Sequence, residues 1–108
     1  MKATELIPVP TSKVTLGSIE VASLPSGGHG YVLTDQDGEI LFIGGTNRLN
    51  NTIRLHSKNF AKLKSIEGEI DCHYIASSEE FLKIEKNWME QHFQFAGKFP
   101  SCNIIVDF

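Results

Sequence analysis

The sequence predicts an α+β fold, a small central β-sheet flanked by helices, and three observations predict it. Apolar runs at residues 31–35 and 39–43 flank Gln36-Asp37-Gly38, and Asp-Gly between two such runs marks a hairpin. Residues 69–76 (EIDCHYIA) alternate as a half-buried strand does. Residues 79–95 carry Phe81, Ile84, Trp88 and His92 at helical spacing behind the capping-box pattern Ser77…Glu80. With a closing strand read at residues 103–106 (NIIV), the order is β-β-α-(α)-β-α-β, with an extra N-terminal strand or hairpin and helices beside a small mixed sheet.

Residues 1–12 hold Pro-Val-Pro and little periodicity, which reads as an extended arm. Residues 13–24 (KVTLGSIEVASL) are β-branched and partly alternating, a strand or a short hairpin bent at Gly17. Pro25-Ser26-Gly27-Gly28 is a break, so the chain divides into an N-terminal extension (1–27) and a main domain (28–108). Gly44-Gly45 ends the second hairpin strand, and Thr46 or Asn47 can cap a helix over residues 48–56, to which Leu49, Ile53 and Leu55 give an apolar side. Phe60, Leu63 and Ile66 suggest a second short helix or an ordered loop. Gly97 and Pro100 terminate the long helix.

The charge is unevenly distributed. From Ile40 to Ile66 there is no acidic residue, while Arg48, Arg54, Lys58, Lys62 and Lys64 fall in that window. The whole chain has a net charge of −3, so the acidity lies elsewhere and this segment presents a basic surface suited to a phosphate backbone. Overall acidity excludes a protein that coats nucleic acid indiscriminately. No apolar run is long enough for a membrane span and the N-terminus lacks a secretory apolar segment, so the expected setting is cytoplasmic, with no membrane contact. Cys72 and Cys102 share no metal-ligand spacing and are expected as buried, reduced thiols.

Among residues able to do chemistry, Glu85 falls inside the apolar stripe of the long helix. A carboxylate there must sit at the stripe's margin, pair with a cation or bind a metal. Arg48, Thr52 and His56 share one face of the first helix, where an arginine and a histidine near a Gly-Gly turn suit phosphate binding and proton transfer. Read singly, His56 is a helix C-terminal cap, Tyr31 a packing residue of a strand, and His29, His73 and His92 structural. No Walker loop, HExxH, CxxC or nucleophile elbow occurs.

Taken together and in order, these features resemble the GIY-YIG nuclease family. His29-Gly30-Tyr31, followed by Thr34-Asp35, is similar to its first motif, and Phe42-Ile43-Gly44 to its second. Leu49-Asn50-Asn51-Thr52-Ile53-Arg54-Leu55-His56 resembles its helix motif L-x-x-R-[apolar]-x-x-H, Glu85 stands in the context of its helical glutamate, and Pro100-Ser101-Cys102-Asn103 is similar to its closing P-x-[apolar]-N. The resemblance spans residues 30–105. It implies Glu85 as ligand of one divalent cation (Mg²⁺ or Mn²⁺), Tyr31 and His56 as the proton-handling pair, and Phe42 and Asn103 in the site. It implies nucleic acid, DNA before RNA, as the partner, and the charge pattern offers Arg48, Arg54, Lys58, Lys62 and Lys64 as its basic contacts.

Three positions depart from the family pattern: His29 for glycine, Phe42 for tyrosine and Thr52 for the charge-stabilising arginine. An arginine in phosphoryl transfer is worth on the order of 10³-fold in rate, so Thr52 implies weakened or lost cleavage. Arg54 projects about 200° around the helix from Thr52, which leaves Arg48, one turn back, as the substitute. Three functional readings follow: a nucleic-acid-binding domain with weak or no cleavage, a working metal-dependent endonuclease using Arg48 or a partner's arginine, and a repurposed protein-interaction scaffold. Residues 13–24 lie outside the family core and would add an edge strand or a homodimer contact.

Overall fold

The hairpin forms around the Asp-Gly turn. The Asp35 carboxylate accepts hydrogen bonds from the Asp37 and Glu39 amides at 2.9 and 3.0 Å, and Gly38 takes the left-handed conformation (φ 85°) that turns the chain back. The computed structural model describes residues 1–60 and 68–105, with no side-chain description for Phe60, Ile104 and Ile105. Within them, β1 (Ser12–Thr15), β2 (His29–Thr34), β3 (Ile40–Thr46) and β4 (Asp71–Tyr74) make one sheet in the order β1-β4-β2-β3. Every pairing is antiparallel, so the sheet is not mixed. β2 is central and buried along its whole length; β3 is an edge.

Side chains alternate across the sheet and build a core on each face. Tyr31, Leu33, Phe42 and Cys72 pack with Leu49 and Ile53 of α1 (Leu49–Phe60). Val32, Ile40 and Ile43 pack on the other face with Trp88 of α2 (Phe81–Ala96) and with Leu6. α2 begins at Phe81, two residues later than the capping pattern suggests, with the Ser78 hydroxyl accepting from the Glu80 amide at 3.1 Å. Gly97 ends it in the left-handed conformation (φ 72°), its N–H donating to the Phe93 carbonyl at 2.8 Å.

Several expectations are corrected. The closing strand at 103–106 is instead a short helix, α3 (Ser101–Ile105), which starts right after Pro100. Of the strand or hairpin expected at 13–24, the strand is present as β1, and after it the chain turns at Gly17 (φ 80°) into a 3₁₀ turn at Ile19–Ser23. The N-terminal arm is not loose. Lys2 bridges Glu39, Leu6 is fully buried, and the Trp88 indole donates to the Pro8 carbonyl at 3.0 Å. β3 continues through Gly44-Gly45 to Thr46. The helix or loop expected around Leu63 and Ile66 lies outside the described residues, and Phe60 closes α1. Among the described residues no helix is long and apolar enough to cross a membrane.

Candidate functional site

Two glycines at the end of the edge strand shape the site. Gly44 faces the α1 side of the sheet, where a Cβ would lie 2.6 Å from the Tyr31 hydroxyl oxygen. Gly45 faces the α2 side, where a Cβ would lie 2.5 Å from the Glu85 Oε2. Side chains from opposite faces of the sheet therefore close in on the same stretch of backbone. A cleft of about 310 Å³ opens there, lined by Tyr31, Phe42, Thr52, His56, Glu85 and Asn103 among others.

Tyr31 comes from β2 and His56 from the third turn of α1. The Tyr31 hydroxyl lies 2.5 Å from His56 Nε2, and the Phe42 ring packs edge-on to the imidazole at 4.8 Å between centroids. His56 is fully buried and lies four residues inside α1, so it is not the C-terminal cap that a helix over 48–56 would make it. Burial lowers its pKa to about 4, which keeps the imidazole neutral near pH 7. Burial, then the charges of Cys72 and Glu85, raise the Tyr31 phenol above its usual range. The pair therefore holds one shared proton between two neutral groups.

Glu85 is half-buried on α2, and burial raises its carboxyl above the ordinary carboxylate range. Among the described residues no cation pairs with it. It lies at the margin of the apolar stripe, but its carboxylate points at the glycine backbone of β3. Asn103, on α3, holds the strand from outside: its Oδ1 accepts from the Ile43 amide at 2.9 Å and its Nδ2 donates to the Ile43 carbonyl at 3.0 Å. One side chain thereby satisfies both backbone groups of an edge-strand residue, next to the glycine pair.

Thr52 lines the cleft, and its hydroxyl lies 2.7 Å from that of Thr46. Thr46 also accepts the Arg48 amide at 3.0 Å, just ahead of α1. Neither Arg48 nor Arg54 lines this cleft. Both line a neighbouring pocket on the other side of α1, with Asn47, Asn50 and Asn51. Arg48 precedes the first helical residue, which turns it away from the Thr52 face. Lys58 is exposed in the last turn of α1, and Lys62 and Lys64 lie outside the described residues.

No protein-family model and no curated protein matches this chain.

The remaining histidines have structural partners. The His29 Nδ1–H donates to the Ile75 carbonyl at 2.7 Å, the His92 Nδ1–H to the Lys98 carbonyl at 2.8 Å, and His73 pairs with the Thr34 hydroxyl at 3.0 Å. Cys72 and Cys102 are buried free thiols. Sequence reasoning takes Gly44-Gly45 only as a strand end, and only the folded neighbours show that Gly45 makes room for Glu85.

Proposed function

We propose that the chain is a nucleic-acid-binding domain of GIY-YIG type, related to metal-dependent endonucleases, whose phosphodiester cleavage is weakened or lost. The observation that carries this reading is the meeting of Tyr31, His56 and Glu85, from β2, α1 and α2, at one cleft beside the glycine pair. Packing alone does not require a hydroxyl-imidazole pair and a carboxylate to converge there. The reading of reduced cleavage is supported by Thr52, whose short side chain occupies the helix face where an arginine is expected. The two nearby arginines line another pocket.

The residues present fit a divalent cation. Glu85 is half-buried without a cationic partner among the described residues, and Gly45 leaves the space in front of it clear. No group of three or more His, Cys, Asp or Glu side chains stands together among the described residues. Glu85 would then be the one protein ligand, in the manner of Mg²⁺ sites completed by water and phosphate oxygens. The cation would supply positive charge to the phosphate and acidity to the attacking water. The chain's own part is proton handling. Tyr31 accepts a proton from water at its phenol oxygen while passing its own proton to His56 Nε2. An imidazole whose pKa is about 4 is a weak base, so this relay alone drives cleavage slowly.

The deciding experiment combines DNA binding with nicking of supercoiled plasmid in Mn²⁺. Salt-sensitive binding with little or no nicking is the expected result, and Thr52→Arg is expected to raise nicking. Binding indifferent to salt overturns the reading. Strong wild-type nicking abolished by Glu85→Ala supports instead the working endonuclease, which the retained Tyr31, His56 and Glu85 favour.

A further inference from the structure

We infer that the pocket holding Arg48 and Arg54 is a preformed phosphate site, separate from the Tyr31–His56–Glu85 cleft and on the other side of α1. Its volume is about 330 Å³, and its walls come from the start of α1 and from the loop Leu24-Pro25-Ser26. Two contacts fix those walls. Gly27 bridges Arg48 in parallel, and the Asn50 side chain donates to the Ala22 carbonyl at 3.2 Å. A pocket whose walls are tied before binding loses less entropy on taking a ligand.

Its chemistry selects an anion. Arg48 and Arg54, both exposed, line it, no acidic residue does, and among the described residues neither arginine is ion-paired. The first turn of α1 also lacks an acidic side chain, although helix starts favour them. Asn47, Asn51 and Ser26 add neutral amide and hydroxyl donors. Arginine forks match phosphate oxygens in pairs. Thr46 lines the cleft and Asn47, the next residue, lines the pocket, so the two open on consecutive residues of the chain. A nucleic-acid strand that leaves the cleft past Thr46 and rounds the start of α1 would bring a neighbouring phosphate to the arginines.

Naming that ligand a nucleic-acid phosphate rests on the function proposed above, but the pocket can be tested without it. Inorganic phosphate titrated into the ¹⁵N-labelled protein is expected to shift the amides of residues 47–51 and the Arg48 and Arg54 Nε signals. The Arg48→Gln/Arg54→Gln variant is expected to lose those shifts while the Gly44 and Gly45 amides keep their native positions. A variant spectrum that shows native dispersion and unchanged phosphate shifts overturns the site, as does a wild type without shifts there. DNA oligonucleotides then identify the source of the phosphate. An equal loss of affinity for 5′-phosphorylated and 5′-hydroxyl strands assigns an internal phosphodiester; a loss confined to the phosphorylated strand assigns a terminal phosphate. For a single-stranded DNA, losing one such contact lowers the slope of log K against log salt by about 0.7. Unchanged DNA affinity in the double variant overturns the nucleic-acid assignment of the pocket, whereas wild-type DNA binding that is absent altogether overturns the proposed function and leaves the phosphate result standing.

Discussion

Acid should weaken the fold through His56. The imidazole is fully buried against Tyr31 and Phe42, and its folded pKa is about 4. In the unfolded chain a histidine titrates near 6.5, so below that pH the unfolded state binds the additional proton and the native state does not. The stabilisation is therefore fully present above about 6.5 and lost as pH falls toward 4. The whole shift corresponds to about 3 kcal/mol, of which about 2 kcal/mol is lost between pH 7 and pH 5. With a urea m-value of roughly 2 kcal/mol/M for a small domain, that loss moves the unfolding midpoint by about 1 M. Burial also lowers the pKa of His73 and His92 and raises that of Glu85, so the wild-type curve alone mixes several groups. The difference between wild type and His56→Gln isolates the one at issue, since glutamine carries no titrating proton and can still pair with the Tyr31 hydroxyl. The two proteins should converge in stability as pH drops from 7 to 5. Parallel midpoints across that range, or an NMR titration of the His56 ring near 6.5, would refute the reasoning.

The other predictions concern the glycine pair, its clamp and the carboxylate. Gly44→Ala should destabilise by about 1–3 kcal/mol, because its Cβ meets the Tyr31 ring at 2.5 Å and that ring is held by Phe42 and His56. Gly45→Ala should cost less in urea unfolding, since its nearest clash is the mobile end of Glu85, and should instead weaken Mn²⁺ binding measured by calorimetry; equal stability losses would contradict this. Asn103→Ala should cost about 1–3 kcal/mol by leaving both Ile43 backbone groups without their partner, and should speed hydrogen exchange of the Ile43 amide. Glu85→Gln should raise the unfolding midpoint at pH 7 in a chelator. The raised native pKa of Glu85 means its contribution to stability is present at low pH and lost as pH rises through that value, and glutamine removes the loss. An unchanged midpoint in the variant would show that the carboxylate is already well solvated.

The hairpin and the long helix were legible because local signals there agree with the tertiary outcome. Asp37-Gly38 supplies the turn and Gly97 the left-handed helix end. The segment at 103–106 was misread because its β-branched residues favour a strand, whereas Pro100 just ahead favours a helix start. The sequence marks residues 1–12 only as an extended arm, because the contacts that anchor it are distant in sequence: Leu6 enters a core built by Val32, Ile43 and Trp88. Periodicity within an element cannot reveal burial supplied by other elements. The same limit applies to His56. Its position near an expected helix end suggests a cap; the pairing with Tyr31, 25 residues earlier, follows from the resemblance and not from any local pattern, and in the fold the Tyr31 hydroxyl lies against its Nε2.

Arg48 shows most clearly how helix geometry decides which side chains reach the cleft. Four-residue spacing puts residues 48, 52 and 56 on one face only if all three are helical. The Thr46 hydroxyl accepts the Arg48 amide, so the helix begins at Leu49 and Arg48 stays in the extended segment that bridges Gly27. The same hydroxyl reaches Thr52, tying the Arg48 turn to the residue that stands where the resemblance expects an arginine. Moving Arg48 into the cleft would require giving up the Thr46 hydrogen bond and the Gly27 bridge together. A guanidinium is more readily placed at position 52, where the helix already faces the cleft, at the loss of a single hydroxyl–hydroxyl hydrogen bond. Binding and cleavage thus draw on different sides of α1 in the proposed reading, the arginines on one side and the proton pair on the other.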